Sequence, residues 1–157
     1  MLDKKLISWF GSVNFTPSRT ETVNKIIIHW IVGNLKIADR VFKDTDSRVS
    51  AHYAIEDKTI HQYVDEGDTA WHAKIANPFS IGIEHSAEPG RDATSMTLET
   101  SAMLIADICI RHKLDPIKAI QPHSKYVRTQ CPGTIDIEFL RKRASEIIHQ
   151  DSQANSR

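Results

Sequence analysis

Three side chains of this sequence have the types and spacing of ligands for a metal ion. His123 and Cys131 lie eight residues apart in a loop bounded by prolines. His29 follows the apolar run 26–28, near the end of a predicted buried strand. Two imidazole nitrogens and one thiolate leave the fourth tetrahedral position of a zinc ion open, which is typical of catalytic rather than structural zinc. The three residues therefore predict a catalytic zinc site.

The two cysteines of the chain have different predicted roles. Cys109 lies on an apolar i, i+3, i+4 stripe of a predicted helix, which favours packing over chemistry. With the other thiol assigned to the metal, no pair remains for a disulfide, as expected in a reducing compartment. A different hypothesis makes Cys131 the nucleophile of a metal-independent Cys–His hydrolase, with His123 as its base. The Pro-Gly turn that follows Cys131 argues against it, because a reactive thiolate gains from a helix N-terminus directly behind it.

Length and composition indicate one domain and exclude some partners. A chain of 157 residues can fold without a structural metal. Lysine plus arginine equals aspartate plus glutamate at 20 each, and no basic run carries interleaved aromatics, so no nucleic-acid partner is expected. The apolar piece 6–10 is too short for a signal peptide or a membrane span, so we expect synthesis in the cytoplasm and no membrane insertion. Without a coiled-coil pattern, we expect a monomer.

The hydrophobic periodicity predicts elements of both kinds. A hairpin is expected across Asp57-Lys58. The domain is expected to span residues 1–150, and residues 151–157 are expected to form a polar tail or the start of a linker. The predicted strands are 25–32, 51–56, 59–65 and 80–86, and the predicted helices are 34–43, 94–112 and 136–149. This order predicts an α/β fold: a single domain with a central mixed β-sheet flanked by helices.

Six short segments occur in an order that chance does not readily produce. They are N-F-T-P-S-R at 14–19, I-H-W at 28–30, V-S-A-H-Y at 49–53, A-W-H-A at 70–73, S-I-G-I-E at 80–84 and the loop 123–133. Over 15–148 the chain thereby resembles the type 2, zinc-dependent N-acetylmuramoyl-L-alanine amidases, a family that includes peptidoglycan-recognition proteins and phage endolysins. The resemblance implies hydrolysis of the amide bond between N-acetylmuramic acid and L-alanine, with bacterial peptidoglycan as the partner.

The resemblance also implies roles for individual residues. The family's zinc ligands fall on His29, His123 and Cys131, so one zinc ion is the expected cofactor. Water must lose a proton and the departing amine must gain one. Glu84 is the expected catalyst of both transfers, because it ends an apolar strand where burial raises a carboxyl pKa. Some branches use a tyrosine at the position of Ala51, which is neither acid nor base here.

The remaining predicted contacts line the cleft. The family has lysine or threonine two residues before its third ligand to stabilise the oxyanion; that residue is Thr129 here, and the adjacent Arg128 is the alternative. Substrate contacts are predicted for a set of aromatic and polar residues: Trp30, His52, Trp71, His72 and Asn77. For the two histidines among them, a hydrogen bond to the backbone is equally compatible with the sequence. His61, His85, His112 and His149 are interpreted as surface or supporting residues.

Three biological roles fit this chemistry. We expect a phage or prophage endolysin, because endolysins accumulate in the cytoplasm without their own export signal. A muropeptide-recycling amidase is an alternative, although that branch often has aspartate where Cys131 stands. A non-catalytic recognition module is another, but such members usually lack a zinc ligand, and here all three are present.

Overall fold

The computed structural model describes residues 2–154, which form two sheets and the helices that cover them. Its elements, in chain order, are β1 (Ile7–Trp9), β2 (Phe15–Thr16), β3 (Lys25–Trp30), α1 (Leu35–Lys43), β4 (Tyr53–Glu56), β5 (Thr59–Gln62), β6 (Thr69–Ala70), β7 (Ser80–His85), α2 (Ser95–His112), α3 (Pro116–Ala119), β8 (Ile120–Pro122) and α4 (Ile137–Ala154). No helix among the described residues has the length and apolar character needed to cross a membrane.

The main sheet has six strands in the order β1-β5-β4-β7-β3-β8. Only the β4–β5 pair, which forms the predicted hairpin, is antiparallel. Its turn residue Asp57 has a φ of 50°, as tight hairpin turns require. The three consecutive isoleucines of β3 are fully buried, since parallel strands are covered on both faces. The predicted α/β fold with a central mixed sheet flanked by helices is confirmed.

The two faces of the sheet pack against different helices. Ile28 and Ile83 point toward α2 and α4 and join the larger core with Leu140. Side chains alternate along a strand, so the next residues of β3 and β7, His29 and Glu84, point toward the opposite face. That face is covered by α1 and by the loops around β6.

Element bounds differ from the predictions mainly at strand and helix ends. The predicted strand 59–65 stops at Gln62, and the predicted helix 136–149 continues to Ala154. The first four residues of the predicted tail thus belong to α4, since no glycine or proline interrupts them. Within this turn, Ser152 donates a hydrogen bond to the carbonyl of Ile148. The last three tail residues lie outside the described residues. Periodicity missed the shortest elements: β1, β2, β6, β8 and α3.

Candidate metal centre and cleft

The site forms where three neighbouring parallel strands end. His29 and Glu84 are direct register partners on β3 and β7. Strand β8 runs parallel to β3 and pairs Pro122 with Ile28, so His123 follows immediately beside His29. The carboxyl ends of parallel strands share one edge of the sheet, which is where side chains converge in open α/β sheets. Residues almost a hundred positions apart thereby become neighbours.

The three predicted ligands lie close enough together to bind one ion. One donor atom each of His29, His123 and Cys131 lies within 4.8 Å of the other two. Cys131 Sγ is 3.7 Å from His29 Nδ1, close to the roughly 3.5 Å separation of nitrogen and sulfur around a tetrahedral zinc ion. His123 Nδ1 is buried and has no hydrogen-bond partner among residues 2–154. An imidazole nitrogen left unpaired beside a thiol and a second imidazole fits a zinc ion.

The loop that carries Cys131 is held from three sides. The carbonyl of Cys131 accepts a hydrogen bond from the Ser124 amide at 3.1 Å, and the amide of Cys131 donates to Thr129 Oγ1 at 3.1 Å. Gly133 has a φ of +63°, and an added Cβ there would lie 2.1 Å from the Trp30 ring. Trp30 therefore packs on the loop backbone and on the core covered by α2 and α4. Its substrate contact stays a prediction, and alternation along β3 places its side chain on the face opposite His29.

Burial controls the charge of the ligands. It lowers the pKa of His29 well below its ordinary value and also lowers that of His123. Both imidazoles are therefore neutral, and each has a lone pair that can bind a metal ion. Burial, with the Glu84 carboxylate nearby, raises the pKa of Cys131 to about 12. A neutral, buried thiol is a poor nucleophile, which disfavours the metal-independent Cys–His hydrolase. A cation bound at the site would supply the charge that the thiolate needs.

Glu84 lies beside the three ligands with an unpaired oxygen. Its Oε2 atom is buried and has no hydrogen-bond partner within the described part of the chain. Burial raises the pKa of Glu84 to about 8. The carboxyl group lines a small cavity of about 140 Å³ whose other walls are mostly apolar side chains of α1 and Val49. Ala51 is fully buried and contributes no ionisable group.

A wider cleft of about 320 Å³ opens on the other side of Val49. Three of the predicted contact residues line it: Trp71, His72 and Asn77. Trp71 donates from Nε1 to Thr16 Oγ1 at 2.9 Å, which fixes its indole at the rim. Asn77 Oδ1 accepts hydrogen bonds from the amides of His72 and Ala73. The amide side chain therefore shapes the loop as well as lining the cleft.

The other predicted residues divide between surface and core. Arg128 and Thr129 are exposed on the ligand loop. His52 is fully buried, and its Nδ1 accepts a hydrogen bond from the Gly82 amide at 3.0 Å. The predicted substrate contact of His52 stays a prediction, although the ring is closed off from solvent here. The alternative of a hydrogen bond to the backbone describes it correctly.

Two further residues support the site: the sequence analysis interpreted His85 as a surface or supporting residue and assigned no role to Arg19. His85 donates from Nδ1 to the carbonyl of His29 at 2.9 Å, and its Nε2 lies 2.7 Å from Ser101 Oγ on α2. Arg19 donates to the carbonyls of Glu66, Asn77, Pro78 and Asp68. It thereby braces the loop that carries the cleft residues. Arg19 ends the first of the six matched segments, which is the only sequence signal for it.

Comparison with known proteins identifies similar sequences. Among curated proteins the chain is similar to N-acetylmuramoyl-L-alanine amidase A of Achromobacter lyticus, 36% identical over 106 residues that cover 64% of this chain and 59% of that protein. The amidase CwlL of Bacillus licheniformis is 29% identical over 96 residues, covering 54% of this chain and 26% of that protein. The chain thus spans less than two thirds of the length of these relatives.

Solved structures share the fold. A mutant endolysin from Bacillus subtilis superposes with a TM-score of 0.75 at 21% identity, covering 92% of this chain and 99% of that one. A selenomethionine derivative of AmpD gives a TM-score of 0.77 at 23% identity, covering 91% and 98%. In sequence, residues 19–134 match the family model described as N-acetylmuramoyl-L-alanine amidase. Since that match covers well over half of the chain, the protein belongs to the N-acetylmuramoyl-L-alanine amidase family.

Proposed function

We propose that this protein is a zinc-dependent hydrolase that cleaves the amide bond between N-acetylmuramic acid and L-alanine in peptidoglycan. One observation carries the proposal: donor atoms of His29, His123 and Cys131 converge within 4.8 Å. Beside them lies Glu84, whose buried Oε2 has no hydrogen-bond partner among residues 2–154. When bound, zinc supplies a Lewis acid that polarises an amide carbonyl and makes water a competent nucleophile near neutral pH. Membership of the family supports the same reaction.

Glu84 handles the protons of the reaction. In its carboxylate form it accepts a proton from the attacking water, and in its acid form it donates that proton to the departing amine of L-alanine. A carboxyl group whose pKa is raised to about 8 by burial can exist in both forms near neutral pH. A cation at the neighbouring ligands favours the carboxylate and so opposes part of that rise.

In the proposed reaction, Thr129 stabilises the negative charge on the attacked carbonyl. Its Oγ1 accepts a hydrogen bond from the amide of Cys131, so its hydroxyl proton remains available for a second partner. Arg128 is exposed beside it and carries a permanent charge. We assign the oxyanion contact to Thr129, because its hydroxyl group is fixed to the ligand loop by that bond.

The cleft has the composition expected for a glycopeptide. Trp71 offers a ring on which a sugar or a peptide can stack. Arg48 and Lys74 lie in the same wall and favour substrates with free carboxylates. Asn77 lines the same cleft. We therefore propose Trp71, Asn77, Arg48 and Lys74 as substrate contacts.

As a biological role we propose that of an endolysin. The thiolate ligand Cys131 supports this role over muropeptide recycling, and one solved structure with the same fold is an endolysin. An endolysin digests intact sacculi, whereas a recycling amidase prefers soluble anhydro-muropeptides. A recognition module binds sacculi and releases nothing. Parallel assays on the two substrates therefore separate the three roles.

The decisive experiment is mass spectrometry of the products released from purified sacculi. Native protein, chelator-stripped protein and stripped protein resupplied with zinc are compared. We expect stem peptides with a free N-terminal alanine in the first and third samples only. Release of peptides after complete stripping would contradict the zinc mechanism. Sedimentation with the sacculi without any cleavage would contradict the amidase assignment.

A further inference from the structure

A chain of three hydrogen bonds runs from the backbone to the ligand His29. Ser80 Oγ lies 2.6 Å from the carbonyl oxygen of Ala76, His72 Nε2 lies 3.2 Å from Ser80 Oγ, and His29 Nε2 lies 2.9 Å from His72 Nδ1. All four residues belong to the described sheet or to the loop that precedes β7. The chemistry of the groups in this chain determines which atom donates and which accepts in each hydrogen bond.

The direction of each hydrogen bond follows from the carbonyl at its end. A carbonyl oxygen only accepts, so the hydroxyl of Ser80 uses its single proton for Ala76. Ser80 Oγ must then accept from His72, which places a proton on His72 Nε2. Neither ring nitrogen of His72 bonds a carboxylate within residues 2–154, so the ring carries one proton and its Nδ1 is an acceptor. His29 therefore donates from Nε2.

This polarity determines which nitrogen of His29 can bind a metal. A neutral imidazole with its proton on Nε2 has its lone pair on Nδ1. His29 Nδ1 is the nitrogen that lies 3.7 Å from Cys131 Sγ. The lone pair thus points to the side where the other two ligands converge. If the proton were on Nδ1, it would occupy the coordination direction.

The ring of His72 has little freedom to abandon this role. A Cβ added at Gly82 would lie 2.7 Å from both Cγ and Nδ1 of His72, so the ring fills the space beside the bare backbone of β7. The amide of His72 is held by Asn77 Oδ1 at 3.0 Å. The ring and the backbone of His72 are therefore both held in place without a bound metal ion or substrate.

We infer that His72 and Ser80 are positioning residues that fix the tautomer of His29, so that its Nδ1 lone pair faces the metal. This inference rests on the proposed zinc centre, and it replaces the predicted substrate contact of His72 with a supporting role. Removing a hydrogen-bond partner behind a ligating histidine typically lowers metal affinity by about 10- to 100-fold. A residue that only contacted substrate would leave that affinity unchanged.

The test compares zinc dissociation constants, measured without substrate by competition with a chromophoric chelator. Ser80→Ala and His72→Phe remove the acceptor hydroxyl and the ring nitrogens, respectively. His72→Asn retains an acceptor close to the position of Nδ1. Ser50→Ala is the matched control, because Ser50 is a buried serine that accepts a hydrogen bond from the Trp71 amide and has none to His72 or His29 within the described part of the chain. Thermal unfolding of each variant checks that it is folded.

We expect zinc to bind about 10- to 100-fold more weakly to Ser80→Ala and His72→Phe. Ser50→Ala should match the wild type, and His72→Asn should recover part of the loss. Wild-type zinc affinity in a folded Ser80→Ala variant would overturn the inference. If His72→Phe does not fold, the result for Ser80→Ala is decisive by itself. Separately, nitrogen-15 NMR of the zinc-free protein should show His29 protonated on Nε2 in the wild type.

The same NMR spectra separate this inference from the proposed function. If the wild type binds no zinc, the proposed metal centre is wrong, whereas the tautomer of His29 still reports on the hydrogen-bond chain. A single Nε2-protonated tautomer that becomes mixed in Ser80→Ala would support the chain. An Nδ1-protonated His29 in the wild type would overturn it.

Discussion

Replacing Glu84 with glutamine should separate catalysis from stability. Glu84→Gln keeps the shape of the side chain but removes its proton chemistry. A positioned acid and base typically contributes about 100- to 10,000-fold to a rate, so kcat on peptidoglycan should fall within that range. Zinc should still bind, because Glu84 is not among the three converging ligands. It should bind more weakly than to the wild type, because the amide removes a carboxylate that attracts the cation.

The same substitution should stabilise the zinc-free protein. Burial raises the pKa of Glu84 from 4.5 to about 8, so folding at pH 7 requires the carboxylate to take up a proton. At about 1.4 kcal/mol per pH unit above 4.5, this costs up to roughly 3 kcal/mol at pH 7. A glutamine resembles the protonated acid and avoids that cost. Because the folded pKa is raised, the cost is absent below about pH 4.5 and grows until about pH 8.

Urea unfolding of zinc-free protein, measured between pH 4.5 and pH 8, tests this reasoning. The stability advantage of Glu84→Gln should grow across that range and vanish at its acid end. Glu138→Gln is the control, because Glu138 is 79% exposed on α4 and should show neither the kinetic nor the stability effect. Activity of Glu84→Gln within tenfold of the wild type would refute its role as proton carrier. A stability difference that does not depend on pH would refute the argument from burial.

Three further predictions follow from other contacts. Burial alone would raise the pKa of Glu66, but hydrogen bonds from Arg111, His112 and Tyr53 lower it to about 2. The free energy of unfolding of the wild type should therefore fall by roughly 3 kcal/mol between about pH 4.5 and pH 2. Urea unfolding of Glu66→Gln should lack this loss at acid pH. Gly82→Ala should weaken zinc binding in the chelator competition assay, because its Cβ would displace the His72 ring. Adding zinc at about 1,000 times its dissociation constant should stabilise the stripped protein by about 4 kcal/mol in urea unfolding, and a Cys131→Ser variant should gain much less.

The sequence was sufficient for the elements with strong periodicity. Three consecutive isoleucines before His29 predict a strand buried on both faces, and the structure confirms it. The stripe that includes Cys109 predicts α2, where the thiol is buried as expected. Strand β8 has three residues and contains a proline, so no period-2 pattern could reveal it. Yet β8 is the element that places His123 beside His29.

The substrate contacts stay predictions, and the geometry of strands limits how far the sequence can support them. Trp30 is adjacent to His29 in sequence, but alternation places the two side chains on opposite faces of the sheet. His52 lies in a matched segment, yet it is fully buried and binds the backbone of β7. Proximity in a motif therefore identifies residues that belong to one site without telling which of them can reach the solvent.

Supporting residues are the hardest to recognise from sequence, because their partners come from other strands and helices. Ser80 is the first residue of β7, and only its bond to His72 and the register of that strand connect it to the ligand His29. His85 reaches the carbonyl of the same ligand from the opposite face. His29 is thus fixed at its ring by the loop before β7 and at its backbone by the end of that strand. Strand β7 therefore carries Glu84 together with two residues that connect to His29, namely Ser80 through His72 and His85 through the backbone. Gly82 of the same strand leaves the space that the His72 ring fills.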